Sequence, residues 1–295
     1  MARRTLAVLA LAALSSTSAL VAQERAFSLD GLVVTTSPTP RSADAISSNV
    51  TVLEGEDLRA AGLATVADAL RTVSGLAVVQ SGSFGAATSV FLRGGESDYV
   101  LVLLDDVQIN QPGGGFDFAA LTLWNVERIE IVRGPSSALH GSDAMAGVIH
   151  IITRAGHGPM TATLSTRLGS FGRRDWSAGA AGGTERTGYS ISLSRSRTDG
   201  ILAFNNRHDN TVASGRLSFL PDDRTRAGIS FRVGDREYHY PTDAAGNTVD
   251  RNAFTYGDET VLSASLRREF SSGFDVQARV GVADTDGGAD DAPDA

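Results

Sequence analysis

Cysteine is absent from the 295 residues, which excludes disulfide frameworks, thiol nucleophiles and Cys-ligated zinc or iron–sulfur sites. Lysine is absent too: all 26 basic residues are arginine, against 34 Asp and Glu, for a net charge of −8. A mildly acidic chain has no general electrostatic footprint for nucleic acid, so no nucleic-acid partner is expected. Five scattered histidines are a poor inventory for metal or acid–base chemistry. No G-x-S-x-G, H-E-x-x-H or Walker pattern occurs, and no nucleophile–base constellation stands out, so the chain reads as no enzyme. No run of 18 uninterrupted apolar residues occurs either, which removes an α-helical membrane span. What is abundant is apolar content at 42%, ample for a core, and glycine at 32 residues, a sign of many turns or close backbone contacts.

Arg3 and Arg4, the apolar run Leu6 to Leu14, and the small residues leading to Leu20-Val21-Ala22 have the layout of a secretory signal peptide, so residues 1–22 are set aside from the fold. A membrane anchor fits less well, because a span needs ~20 apolar residues. Residues 23–48 are rich in Ser, Thr and Ala, with Pro38 and Pro40, and read as a flexible arm. Inside it lies one β-branched patch, Leu32-Val33-Val34-Thr35-Thr36. Such a pentamer either adds as a strand to a partner's open sheet edge or docks on its own domain.

Residues 49–155 alternate short strands with short helices. Val50 to Leu53 is a strand candidate, and Glu54 to Leu58 opens a helical turn with acidic residues at its positive end. Thr65 with Asp68 forms a capping-box-like start, and Gly75 stops the helix that follows. Leu76 to Val79, Ser89 to Leu92, Tyr99 to Leu104, Val126 to Val132 and Val148 to Ile152 are further strand candidates, with a helical pattern at Pro135 to Met145. The glycine-rich stretches 80–88 and 111–118 are long enough to be exposed loops. Asp105-Asp106 reads as the opening of a turn before Val107 rather than a catalytic pair, and Gly113-Gly114-Gly115 lacks the spacing of a nucleotide loop.

From residue 156 onward the period becomes two. Leu164 and Leu168 alternate with Ser165 and Arg167, Ile191 and Leu193 with Ser192 and Ser194, and Leu217 and Phe219 with Arg216 and Ser218. The pattern continues with Ile229, Phe231 and Val233, then Leu262 and Leu266, then Val276 and Val280, and a weaker segment carries Trp176, Ala178 and Ala180. About seven strands result, each near the ~10 residues that a tilted membrane strand needs. A soluble sandwich alternates in the same way, but here short connections (182–187, 221–224, 271–273) alternate with long ones (197–210, 234–258). That asymmetry is the habit of outer-membrane barrels, and Trp176, Tyr189, Phe219 and Phe270 near strand ends fit an aromatic girdle. The expected fold is an α+β plug domain followed by antiparallel transmembrane β-barrel strands. Seven strands leave two edges unpaired in lipid, while single-chain barrels take an even number from about eight upward, so the chain reads as an N-terminal fragment of an incomplete barrel. Residues 284–291, rich in Asp and Gly, read as the start of another outward loop.

Four stretches together resemble the plug of TonB-dependent outer-membrane receptors. They are Phe91-Leu92-Arg93-Gly94, Val100 to Val107, Val126 to Leu139 with Arg133-Gly134-Pro135 at its centre, and Gly141-Ser142-Asp143-Ala144 running on to Ile151-Ile152-Thr153. Within that family the chain is most similar to the vitamin B12 (cobalamin) transporter branch, with His140 where Tyr is usual and His150 where Asn is usual. The resemblance implies residence in the outer membrane of a Gram-negative-type bacterium, in contact with its lipid, and import of a scarce ligand with energy relayed by TonB from an inner-membrane complex. Leu32, Val33, Val34, Thr35 and Thr36 then fall where the TonB box lies. Ser81, Ser83, Phe84, Gln111 and Phe116 become ligand-binding residues of the apical loops. Arg93 and Arg133 become plug–barrel contacts. By the same resemblance Asp199, Asp209, Asp235 and Asp243 are candidate calcium ligands, although a solvated acidic loop accounts for them more simply, and no other cofactor is expected. The cargo stays open between cobalamin and a siderophore or other metal chelate, and a surface adhesin that transports nothing is the reading from another class.

Overall fold

The computed structural model describes residues 33–34, 41–42, 49–134, 142–243, 245–270 and 273–291. Within the arm, β1 (Val33–Val34) and β2 (Arg41–Ser42) form a two-residue antiparallel pair. The plug then begins with β3 (Asn49–Glu54), α1 (Gly55–Ala60) and α2 (Val66–Arg71). The capping box at α2 is formed in full. The Thr65 hydroxyl accepts from the Asp68 amide at 3.1 Å and the Asp68 carboxylate accepts from the Thr65 amide at 3.2 Å. Next come β4 (Leu76–Gln80), β5 (Thr88–Leu92), β6 (Val100–Leu104), β7 (Val107–Gln108), β8 (Val126–Arg133) and β9 (Gly147–Thr153).

Five of these strands make one mixed sheet in the order β3-β8-β9-β6-β7, with β6 parallel to β9. β6 and β9 are buried at every position, which is why neither alternates: β6 is wholly apolar, and β9 is apolar except for His150 and the terminal Thr153. α2 and the β4–β5 hairpin lie over this sheet, and Leu70, Leu92, Val102, Ile129, Ile149 and Ile151 share its core. Of the helical pattern expected at 135–145, residues 135–141 lie outside the described residues and Ser142–Ala144 form one 3-10 turn.

The second half is an open seven-stranded antiparallel meander: β10 (Thr161–Leu168), β11 (Arg174–Gly183), β12 (Thr187–Thr198), β13 (His208–Asp222), β14 (Thr225–His239), β15 (Phe254–Glu269) and β16 (Asp275–Asp290). Its two faces differ in chemistry. Leu164, Ile191, Leu217, Ile229, Leu262 and Val280 lie on one face, at register positions opposite other apolar, aromatic or small residues, and are exposed by 80%, 57%, 60%, 60%, 49% and 70%. A contiguous apolar band of this breadth is a lipid-facing surface, not one a soluble protein leaves open. The opposite face presents Asp175, Ser190, Ser192, Ser214 and Arg232, and these are buried because the plug sits against it. No described helix is long and apolar enough to cross a membrane.

Two expectations are corrected here. The long connection expected over 234–258 shrinks, because β14 continues to His239 and β15 starts at Phe254. Cross-strand ring contacts hold that extension, with His239 stacked on Phe254 at 5.0 Å. Residues 284–290 form no loop: they are strand β16, paired with β15 as far as Asp290. An Asp- and Gly-rich run has poor strand propensity, but the long unpaired edge of β15 supplies ladder partners that override it.

The two-faced sheet predicts that Ile229→Arg, which places a cation in the apolar band, costs about 2–4 kcal/mol and strongly lowers the membrane-associated fraction. Ser265→Asn on the wet face should leave that fraction unchanged. Flotation of the protein with membranes on a density gradient measures both.

Candidate functional site: where the plug meets the strand arc

The turn joining β6 to β7 is Asp105-Asp106, with φ of 46° and 70°. Two successive positive φ values define the hairpin turn whose twist matches its strands, and Asp tolerates that region better than most residues. The turn points at the arc and is clasped by three of its strands. From β13, the Arg216 guanidinium donates to Asp105 Oδ1 at 3.1 Å and to the Thr153 carbonyl at 3.2 Å. From β15, the Ser263 hydroxyl donates to the Asp105 carbonyl at 3.1 Å, and from β16 Arg279 sits 3.3 Å from the Asp106 carboxylate. Asp105 is 8% exposed, and its carboxylate also accepts from the Thr153 amide (2.9 Å) and hydroxyl (2.6 Å). Beside it Gly281 lets β16 approach: a Cβ there would lie 2.5 Å from Val107 Cγ2.

His150 on β9 lies under the same turn, where its Nε2 accepts the Asp106 amide at 3.1 Å. Burial pushes its pKa down to about 4, against the opposing pull of Asp106 and Asp105 and with help from Arg128 and Arg279. The imidazole is therefore neutral at physiological pH, as an acceptor of that amide must be.

A second set of contacts ties down the 110s loop. The Ala120 carbonyl accepts from Arg232 at 2.9 Å and from Asn210 at 3.2 Å, while Asp117 pairs with Arg236. Asp117 also accepts the Thr88 and Ala119 amides at 2.8 and 3.0 Å, so one carboxylate joins two plug segments to β14. A third set holds the 81–87 loop. The Asn206 amide donates to Ser83 Oγ at 2.8 Å, Tyr238 lies 3.2 Å from the same hydroxyl, and the Arg173 guanidinium stacks 4.1 Å above the Phe84 ring. Gly85 makes the close approach possible, since a Cβ there would fall 2.2 Å from His208 Nδ1. Near the other end of the arc Ser190 donates to the Arg154 carbonyl at 2.5 Å.

Between the 110s loop and β13–β16 lies a cavity of about 340 Å³, lined by Gln111, Phe116 and Asp117 from the plug and by Asn210, Arg236, Tyr256 and Glu259 from the arc. Its lining combines aromatic residues, Phe116 and Tyr256, with polar and charged ones, a composition compatible with a small-molecule site. Of the residues expected to meet a ligand, Gln111 and Phe116 line this cavity. Ser83 and Phe84 instead fasten the plug to the arc, and Ser81 closes the neck of its own loop through the Ala87 carbonyl at 3.0 Å.

No described contact joins Arg93 or Arg133 to the strands of the arc. Arg93 is exposed with its amide on the Gly75 carbonyl, and Arg133 donates to Thr51 at 2.5 Å within the plug. The contacts run through Asp105, Asp106, Asp117 and Ala120. The four candidate calcium ligands are not brought together either, and no group of three or more potential ligands exists among the described residues. Asp209 is held by Arg195 at 3.0 and 2.6 Å, and Asp243 accepts the Ala245 and Asn247 amides of its own loop. Val33 and Val34 are the β1 strand, whereas Leu32, Thr35 and Thr36 lie outside the described residues. The signal that would have found the docking turn was present as Asp105-Asp106 after five apolar residues, but nothing local reveals that Arg216, Ser263 and Arg279 converge on it.

A globular α+β plug clasped through polar contacts by the wet face of amphipathic strands defines a plugged-barrel receptor. Residues 42–148 match the TonB-dependent Receptor Plug Domain family model. The chain is 34% identical over 173 residues to the vitamin B12 transporter BtuB of Vibrio vulnificus, covering 59% of this chain and 28% of that protein. It is 34% identical over 203 residues to BtuB of Photobacterium profundum, covering 68% and 33%. The chain thus spans about a third of the length of the curated relatives it matches. Among solved structures, the ferric enterobactin receptor of Pseudomonas aeruginosa superposes with a TM-score of 0.64 at 19% identity, over 80% of this chain and 41% of that one. The ferripyoverdine receptor of the Pseudomonas aeruginosa outer membrane superposes with a TM-score of 0.68 at 14% identity, over 85% and 36%. Residues 42–148 are thus a TonB-dependent receptor plug domain, and in sequence the chain is BtuB-like.

Two predictions follow from the docking turn. Arg216→Ala leaves the Asp105 carboxylate buried beside the Thr153 carbonyl without its cation, and should weaken plug docking by about 3 kcal/mol, read as faster amide exchange in β6 and β9. For His150 the folded pKa lies below the ordinary 6.5, so its stabilising contribution is complete above pH 6.5 and is lost as pH falls towards 4. Protease sensitivity of the plug should rise across that window, and His150→Asn, which keeps an acceptor but cannot be protonated, should flatten the rise.

Proposed function

We propose that the protein is an outer-membrane transporter that imports a corrinoid of the cobalamin type with energy relayed by TonB. The observation that carries this reading is the 34% identity to a vitamin B12 transporter over 203 residues, a length that extends beyond the plug. The siderophore receptors share the fold at 14–19% identity, too low to carry a cargo across.

In this reading the ligand arrives from the long-loop side and rests in the cavity over Gln111 and Phe116. Leu32 to Thr36 pairs with TonB as an added strand, which requires Val33 and Val34 to leave their Arg41–Ser42 partner. That pairing is only two residues long, so little is lost in the exchange. Force on the arm is then transmitted to the plug, whose hold on the arc is a set of polar contacts. The outer membrane lacks ATP and the sequence carries no nucleotide motif, so the energy has to come from a partner.

Uptake of labelled cyanocobalamin by a strain lacking its own receptor tests the proposal. Expression of the protein should restore uptake, and a Val33→Pro/Val34→Pro variant should bind ligand at the surface yet import none. Uptake of ferric chelates in place of cobalamin would move the protein to the siderophore receptors. Surface attachment without any uptake, unaffected by the proline pair, would make it an adhesin.

A further inference from the structure

Where the plug faces the first strands of the arc, a crevice of about 50 Å³ opens between them. The plug lines it with Arg59, Trp124, Asn125 and Arg154, and the arc with Thr163, Ser177 and small residues of β11. Two guanidinium groups and an indole N–H can only donate, and hydroxyls can donate as well. No carboxylate lies in the lining.

Backbone contacts fix both arginines at this spot. Gly55 lets α1 lie directly on the chain before β8, since a Cβ there would fall 2.1 Å from the Val126 carbonyl oxygen. Arg59, one turn on, then donates through Nη1 to the Leu123 and Val126 carbonyls at 2.9 and 2.7 Å. The Arg154 amide donates to the Asn125 carbonyl at 3.0 Å, and its carbonyl accepts the Ser190 hydroxyl of β12, so Arg154 is held from both sides. Neither arginine forms an ion pair among the described residues. Burial lowers the pKa of Arg59, and Arg154 pushes the same way against the pull of the exposed Glu56, so the two cations act on each other. Between them Asn125 is 7% exposed, and its side-chain amide nitrogen has no hydrogen-bond partner.

We infer that Arg59, Arg154 and the Asn125 side-chain amide form a binding site for a small inorganic anion of halide size, held between the plug and strands β10–β12. A buried donor without an acceptor and two like charges in a desolvated crevice are both unfavourable, and one anion relieves both. A water molecule in its place satisfies Asn125 but leaves the arginines repelling. The crevice admits a few water-sized groups at most, which suits a halide and excludes bulky anionic ligands. The bound ion becomes a third member of the plug–arc contact, independent of whatever cargo the cavity over Phe116 takes.

Amide hydrogen exchange of the purified protein in sodium chloride and in sodium gluconate of equal ionic strength tests this. The amides of α1 and of Arg154 should exchange roughly threefold to tenfold more slowly in chloride. Arg154→Gln should remove the difference between the salts. Asn125→Asp, which places a carboxylate in the crevice, should also remove it while keeping exchange slow in both. Arg186→Gln, in the turn between β11 and β12, should keep the chloride dependence. Equal exchange of the wild-type protein in the two salts would overturn the site. Retention of the full chloride effect by Arg154→Gln or by Asn125→Asp would overturn it too, because the effect would then be a general one of the salt.

Discussion

The arrangement depends on satisfying a buried carboxylate. Asp105 has to be where it is because the I′-type turn between β6 and β7 brings it out of the sheet, and once it is 8% exposed its charge needs donors. Thr153 supplies two from the plug and Arg216 supplies one from the arc. The same constraint acts on the other partner: an arc whose wet face is lined by Asp175, Ser192, Ser214 and Arg232 cannot be left against an apolar surface. The plug answers with turns, carbonyls and carboxylates instead of a greasy flank. Polarity on both sides therefore decides that plug and arc meet through loops and strand ends.

An interface of this kind has a mechanical consequence. Apolar packing between plug and arc would resist separation in proportion to the area exposed to water. Hydrogen bonds exchange for bonds to water at a net cost of only about 0.5–1.5 kcal/mol each. Some of the contacts found here, those of Ala120 with Asn210, of Ser83 with Asn206 and of Ser263 with the Asp105 carbonyl, are of the second type. The Asp105–Arg216 node is costlier to break, because a charge is stranded when it opens. Partial movement of the plug can thus loosen neutral contacts first while the charged node still holds register.

Much of this was legible in the residues and some was not. Period-two alternation located all seven strands of the arc, and the sequence of Thr65, Asp68 and Gly75 located α2, because each of those signals is local. The upper reaches of β14, β15 and β16 were not legible: Asp284 to Asp290 has the composition of a loop, and only its ladder with β15 makes it a strand. The docking turn failed to show for a similar reason. Asp105 and Asp106 announce a turn, whereas the convergence on it of Arg216, Ser263 and Arg279 is a product of strand register over more than a hundred residues. The resemblance makes Ser83 and Phe84 ligand contacts of an apical loop, and only the folded arrangement reveals that both also touch the arc.

The loops that hold the plug are also the loops that frame the cavity. Phe116 lines the cavity floor, and the next residue, Asp117, binds both the Thr88 amide and Arg236. Arg236 and Asn210 line the same cavity while donating to Asp117 and to the Ala120 carbonyl. A ligand that drew either side chain toward itself would take a donor away from the plug at that point. Occupancy and docking strength are linked through shared atoms, and linkage of that form runs both ways: whatever loosens the 110s loop changes the cavity, and whatever fills the cavity changes how firmly the loop is held.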